Sequence, residues 1–274
     1  MQAGIFAKTF AAEGALGALS AAKLAGFATV QFNMACAGLA SMPDEISHET
    51  IENIADASRE TGVSIAAISA TYNMIHPDPK VRADGMRRLE VILKASRGMG
   101  TGLVTLCTGT RDPDDQWRHH ANNQSDGAWR DLLVEMGRAA ELAEAHGVDL
   151  GIEPELANVV NSAEAAKRLL NDLKSPRLRI VLDPANLFET VSEDERKNII
   201  AHAVETLAGR ISMAHAKDRD ASGGFVAAGT GVIDFPHFIA ALKKAGFDGP
   251  LVAHGLSEVE APAVAKFLRK AMGA

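Results

Sequence analysis

Several classes of protein are excluded by what this sequence has little of. Cysteine occurs only at Cys36 and Cys107, too few for a disulfide framework, and that usage suits a reducing cytoplasm. Aromatic residues make up 5% of the chain, a poor supply for base-stacking platforms. Positive charge is in deficit: 28 Lys and Arg against 35 Asp and Glu give a formal net charge of −7. A protein that grips the phosphate backbone would carry a basic patch instead. No apolar run reaches the roughly 18 residues of a membrane helix. The Ala-rich start lacks a basic leader and is interrupted by Lys8, Glu13 and Lys23, so it reads as folded structure and not as a signal peptide. No GxGxxG or Walker loop is present, and no low-complexity linker divides the chain.

What is present is an alternation. At 274 residues, 47% apolar and 23% charged, the chain has the composition of an ordinary globular protein. Short apolar runs at 3–7, 28–33, 63–70, 103–108, 148–153, 178–183, 210–216 and 250–254 read as buried parallel strands. Helical patterns at 15–26, 48–62, 80–99, 127–147, 162–173, 193–208, 235–246 and 259–272 lie between and after them. Gly26, Gly62, Gly147 and Gly246 sit where helices should stop, and Ser162 sits where one should start. Eight strand–helix units in this length predict an α/β fold, a single (β/α)8 barrel over residues 1–274, with a doubly wound sheet as the alternative.

The strand ends carry the functional signal, because barrels place their chemistry where strands finish. The fifth strand stops at Glu153, followed by Pro154 and Glu155; the sixth stops at Asp183, followed by Pro184, Ala185 and Asn186. The seventh delivers His215, Lys217 and Asp218, and the eighth delivers His254. Two carboxylates and one or two imidazoles converging on one mouth form a divalent-metal set of mixed oxygen and nitrogen donors, suited to manganese, zinc, cobalt or iron more than to calcium. Each residue also has a plainer reading. Asp183 could cap the next turn, Glu153 could pair with a basic loop residue, and His215 could be a hydrogen-bonded core histidine.

The segments GIEPE (151–155), VLDPANL (181–187), HAKD (215–218), GTGVIDF (229–235) and AGFDGPL (245–251), in this order and spacing, resemble the xylose isomerase-like TIM barrels of the sugar phosphate isomerase/epimerase superfamily. The resemblance runs over essentially the whole chain. It implies one divalent metal, manganese first with zinc, cobalt, iron or magnesium as alternatives, held by Glu153, Asp183 and His215. Where many members place a second Glu at the end of the eighth strand, this chain has His254, with Glu258 four residues on. Asn186 stands where ketose epimerases have a His, and Gln31 lies where many members have a Glu. His254 is the candidate fourth ligand, with a supporting or substrate-binding role as its alternative.

The implied chemistry is proton abstraction next to a metal-bound carbonyl, with Glu153 as the candidate base and His254 and Lys217 as further catalytic candidates. That describes a sugar, keto-sugar or polyol isomerase or epimerase. A metal-dependent lyase or dehydratase acting on an oxidised sugar, inosose or 3-oxo-glycoside is the alternative, and a non-catalytic barrel subunit a further one. Substrate contacts are expected from Thr71, Asn73, His76, Arg111, Trp117, Glu155, Asn158, Asn186 and Glu258. For Arg111 the competing role is bracing its loop, for Asn158 and Asn186 turn formation, and for Lys217 an ion pair with Asp218. The expected partner is a small carbohydrate, with no nucleic acid and no membrane; self-association is common for barrels.

Overall fold

A computed structural model describes residues 1–273. Eight parallel strands close on themselves: β1 (Gln2–Phe6), β2 (Thr29–Phe32), β3 (Ser64–Ser69), β4 (Leu103–Cys107), β5 (Asp149–Glu153), β6 (Leu178–Leu182), β7 (Ile211–Arg219) and β9 (Pro250–Ala253). Each pairs with the next, and β9 returns to β1 with Ala3 opposite Leu251. The short β8 (Phe225–Ala227) lies outside this ring and folds back antiparallel on β7, pairing Lys217 with Ala227. The barrel is therefore the expected one. The β7–β8 hairpin was not legible, because its strand is only three residues long and follows a turn-rich stretch.

The helices are α1 (Gly14–Ala25), α2 (His48–Thr61), α3 (Pro79–Ser96), α4 (Asp126–His146), α5 (Ala163–Leu173), α6 (Glu193–Thr206), α7 (Phe235–Lys244) and α8 (Ala261–Met272). Their starts follow local chemistry. Ser162 Oγ accepts the Ala165 amide at 3.2 Å, and Ser47, Ser125 and Ser192 cap α2, α4 and α6 in the same way. The helices α1, α2 and α4 end on Gly26, Gly62 and Gly147 in the left-handed conformation, as expected. At α7 the cap is Ala245, and Gly246 (φ +79°) lies one residue beyond it. Among the described residues no helix is long and apolar enough to cross a membrane.

Two layers inside the barrel position the site. Ala67, Leu103, Val181, Met213 and Val252 pack together as a small apolar floor. Side chains two residues apart on a strand share a face. The next inward positions are therefore Ser69, Thr105, Asp183, His215 and His254, a polar layer stacked on an apolar one. The main core lies between the strands and the helices; Phe32, Phe235 and Phe238 are among its largest fully buried side chains.

Candidate active site

Above the apolar floor opens a cavity of about 1090 Å³. Glu153 and His215 line it, and Asp183 is fully buried beside them. Each of the three offers one ligand atom, and these atoms lie within 4.8 Å of one another, the one such cluster of His, Cys, Asp and Glu among the described residues. His215 Nδ1 sits 3.0 Å from Glu153 Oε1 and 3.7 Å from Asp183 Oδ2. Its other nitrogen, Nε2, sits 2.8 Å from Gln31 Oε1. Gln31 donates from Nε2 to Thr105 Oγ1 at 3.0 Å and presents its oxygen to the ring. The network thus assigns the Nε2 proton to the Gln31 bond and aims Nδ1 at two carboxylates.

The electrostatics is of a kind that suits a cation. Burial opposes charge on His215, but Glu153 and Asp183 outweigh it and hold the ring protonated up to about 9. Burial likewise opposes ionisation of Glu153, and His215 more than compensates, so its carboxyl stays below the usual range. For Asp183 the burial penalty is overcome by Lys217 and His215, again with a lowered value. Lys217 and the protonated His215 balance these carboxylates, and the Nδ1 position between the two acids is the one a divalent cation would suit. The donor set fits: two carboxylates and an imidazole nitrogen, with Asp183 Oδ2 buried and without a hydrogen-bond donor. Lys217 Nζ lies 3.1 Å from that oxygen, but not in hydrogen-bonding alignment. The other Asp183 oxygen accepts the Ala185 amide at 2.9 Å, so the residue also performs the turn-capping role its sequence context allowed.

A second ring of groups holds these three. Asn186 donates to Glu153 Oε1 at 2.9 Å and accepts from Lys217 Nζ at 2.9 Å. Lys217 does not pair with Asp218. Both Asp218 oxygens are taken by backbone amides, Arg219 and Ile233 on one, Gly229 and Gly231 on the other, at 2.8 to 3.0 Å. That wraps the GTGVIDF segment around one buried carboxylate, and Gly231 is required there because a Cβ would meet Arg219 O at 2.1 Å. His254 stacks between Phe6 and His215, each ring centroid 5.3 Å away. It lies outside the three-residue ligand cluster. Burial, then His215 and Lys217, lower its pKa to about 4, leaving a neutral imidazole whose buried Nδ1 has no partner. Glu155 faces the cavity, and burial together with the Glu153 charge raises its pKa to about 8.

Of the residues expected to contact substrate, Thr71, Trp117, Glu155 and Asn186 line the cavity. Asn73, His76, Arg111, Asn158 and Glu258 do not line it, and the side-chain bonds they make are to other parts of the protein. Asn73 accepts the Thr110 amide at 3.0 Å. His76 lies 3.0 Å from Pro113 O. Arg111 binds Asp131 at 2.6 Å and Ile75 O at 3.0 Å, bracing its loop. Asn158 is fully buried and accepts the Gly109 amide at 2.7 Å, and exposed Glu258 accepts the Ala11 amide at 3.3 Å. The sequence reading did not single out Ser69, Thr105, Arg219 or Phe225 on the cavity wall, and it gave Gln31 no role. Counting inward positions two residues beyond the apolar floor finds Ser69 and Thr105; nothing in the sequence marks Phe225, which arrives on the β7–β8 hairpin.

A ketose 3-epimerase of Arthrobacter globiformis is 29% identical over 137 residues, 48% of this chain. That match spans 44% of the relative's length, less than half of it. The structure of a 3-keto-D-glucoside 4-epimerase from E. coli superposes with a TM-score of 0.78 over 100% of both chains at 17% identity. An L-ribulose 3-epimerase gives 0.76 at 20% identity, covering 99% of this chain and 94% of its own. The D-psicose 3-epimerase of Clostridium cellulolyticum H10 also gives 0.76, at 17% identity over 99% of each chain. At these identities the structures share the fold. The family model described as xylose isomerase-like TIM barrel matches residues 19–271, and the chain belongs to that family.

Proposed function

We propose that this protein is a divalent-metal-dependent epimerase of ketoses or keto-sugars, working by proton abstraction next to a carbonyl. The observation that carries the proposal is the convergence of Glu153, Asp183 and His215 ligand atoms within 4.8 Å at the ends of three successive barrel strands. The part-length relative, a ketose 3-epimerase, and the epimerase structures sharing the fold support the same reaction class, and none of them speaks for a lyase.

Glu153, Asp183 and His215 would hold the metal, which when bound supplies Lewis-acid polarisation of a substrate carbonyl and its neighbouring hydroxyl. Glu153 faces the cavity and is kept ionised, so it is placed to take the proton from the carbon beside the carbonyl. Asn186, bonded to Glu153 Oε1, fixes the carboxylate's plane. Lys217 places a buried ammonium beside the site, where negative charge on a substrate oxygen would be stabilised. The returning proton needs a donor that is protonated at neutral pH; Glu155, which faces the cavity with its carboxyl raised to about 8, can supply it, and His254, neutral with a free ring nitrogen, can pass it on. The strand-bound position of each group keeps the geometry fixed before substrate enters.

The test is incubation of metal-loaded protein with ketoses and keto-sugars in deuterated water. Deuterium at the carbon beside the carbonyl, together with inversion there and no released leaving group, supports the proposal. Glu153→Gln should abolish exchange and lose metal together; full exchange in that variant would overturn the assignment.

A further inference from the structure

Outside the ring of parallel strands, the β7–β8 hairpin sets Phe225 opposite Arg219 and Ala227 opposite Lys217. Opposite residues of an antiparallel pair share a face, residues two apart on a strand do too, and an aromatic ring reaches along the diagonal. The register therefore lays the Phe225 ring across both cations. Lys217 Nζ lies 4.1 Å and the Arg219 guanidinium 4.2 Å from its centroid. Lys217 is 6% exposed and Arg219 7%, whereas Phe225 is 52% exposed. A large apolar side chain left half in water recovers little from its own burial. Its position is explained by the two buried charges that it covers.

Lys217 gains a fixed direction from this cover. Its stem runs past Gly255, where a Cβ would meet Lys217 Cδ at 3.1 Å and Cγ at 3.2 Å. At the tip, Nζ donates to Asn186 Oδ1 at 2.9 Å. The 3.1 Å approach to Asp183 Oδ2 is out of hydrogen-bonding alignment, so it attracts the charge without fixing the N–H directions. An ammonium has three donors. Asn186 fixes one, the electron-rich face of Phe225 draws a second, and together they aim the third. The ring is itself held. The Arg219 guanidinium against it donates to Ala185 O at 2.6 Å and to Gly223 O in the hairpin turn. Ala185 belongs to the turn that Asp183 caps and Asn186 ends, so one turn and one hairpin close around the ammonium. Lys217 and Phe225 both line the cavity.

We propose that Phe225 is a positioning residue for the reaction: its ring holds Lys217 so that the third ammonium proton points at the substrate oxygen on which negative charge develops. This rests on the epimerase reading above for the identity of that oxygen; the hold on Lys217 stands on the hairpin geometry. Phe225 acts through Lys217 and takes no part in proton transfer. Its effect belongs to the transition state, because an ammonium aimed in advance stabilises developing charge more than it stabilises the neutral carbonyl of a bound ketose. Removing the ring face should therefore slow turnover and leave substrate affinity nearly unchanged.

Ketose turnover by metal-loaded protein, followed as deuterium uptake at the carbon beside the carbonyl, tests this in two variants. Phe225→Leu keeps the apolar bulk and loses the ring face; Phe225→Tyr keeps the face. In Phe225→Leu kcat should fall about five- to thirtyfold, the scale of a partly desolvated cation–ring contact, with KM changed by less than about twofold. Phe225→Tyr should recover most of kcat. The side chain is half in solvent, so unchanged thermal unfolding serves as the folding control. An unchanged kcat in folded Phe225→Leu overturns the proposal. A loss carried by KM overturns it too, and makes Phe225 a wall of the substrate pocket. A second measurement needs no activity. In protein carrying isotope-labelled lysine, ammonium protons held away from water give an NMR signal, assigned to Lys217 by its absence in Lys217→Arg. That signal should be present in wild type and Phe225→Tyr and lost in Phe225→Leu. Its absence from wild type, or its persistence in Phe225→Leu, overturns the hold. If wild type exchanges deuterium into no ketose, the epimerase reading fails, and the ammonium signal still decides whether Phe225 holds Lys217.

Discussion

Gln31 offers the sharpest test of how the chain prepares His215. It is 5% exposed, and its two amide atoms link His215 Nε2 at 2.8 Å to Thr105 Oγ1 at 3.0 Å. Gln31→Leu keeps the apolar bulk and removes both bonds. The His215 Nε2 proton is then buried without an acceptor, a cost of about 1–3 kcal/mol. The ring can escape that cost by giving up the Nε2 proton and keeping the one on Nδ1, but a metal ion bound at Nδ1 would drive the proton back to Nε2, where no acceptor remains. Either way metal binding pays the difference. Loss of such a supporting bond typically weakens metal affinity about 10–100-fold, which corresponds to roughly 1.4–2.7 kcal/mol. Titration of Mn²⁺ into metal-free wild type and variant reads this directly. Gln31→Glu, which keeps an acceptor oxygen for Nε2, should recover most of the affinity. A folded Gln31→Leu protein binding Mn²⁺ within twofold of wild type would refute the reasoning.

Two further outcomes follow from other buried groups. Asp218→Ala strips four backbone amides of their acceptor and should destabilise the fold by roughly 3–5 kcal/mol, read as a lower urea midpoint; a change below about 1 kcal/mol would show that the 229–235 segment does not depend on it. Burial, reinforced by Glu155, pushes the Cys107 thiol far up, and burial raises Cys36. Neither thiol should therefore react with iodoacetamide in the native protein at pH 8, while both react in denaturant; rapid native labelling of Cys107 would contradict its burial.

Much of this structure was readable because barrels impose two regular patterns. Continuous apolar runs marked the eight ring strands, and capping residues such as Ser162 and Gly147 marked helix ends. The strand-end rule brought out Glu153, Asp183 and His215, since polar residues closing an apolar run have few other places to point. The rule says nothing about loops. Asn73, His76, Arg111 and Asn158 lie in segments following strand ends, and whether such a residue faces a cavity or braces its loop depends on contacts distant in sequence. Arg111 reaches Asp131, twenty residues on, and Asn158 reaches Gly109 across 49 residues. Gln31 was noted only as standing where relatives have a Glu, and its role was hidden because it holds another side chain, 184 positions away. His254 lies where the family resemblance put a fourth ligand, but its ring lies stacked against His215, a relation no spacing encodes.

The central claim is that one divalent cation binds Glu153, Asp183 and His215. Crystals soaked in Mn²⁺ and measured for anomalous scattering test it most directly. The expected map has a single strong peak within about 2.0–2.3 Å of a Glu153 oxygen, an Asp183 oxygen and His215 Nδ1. An empty site between these residues at saturating Mn²⁺, or a peak held by other side chains, would contradict it.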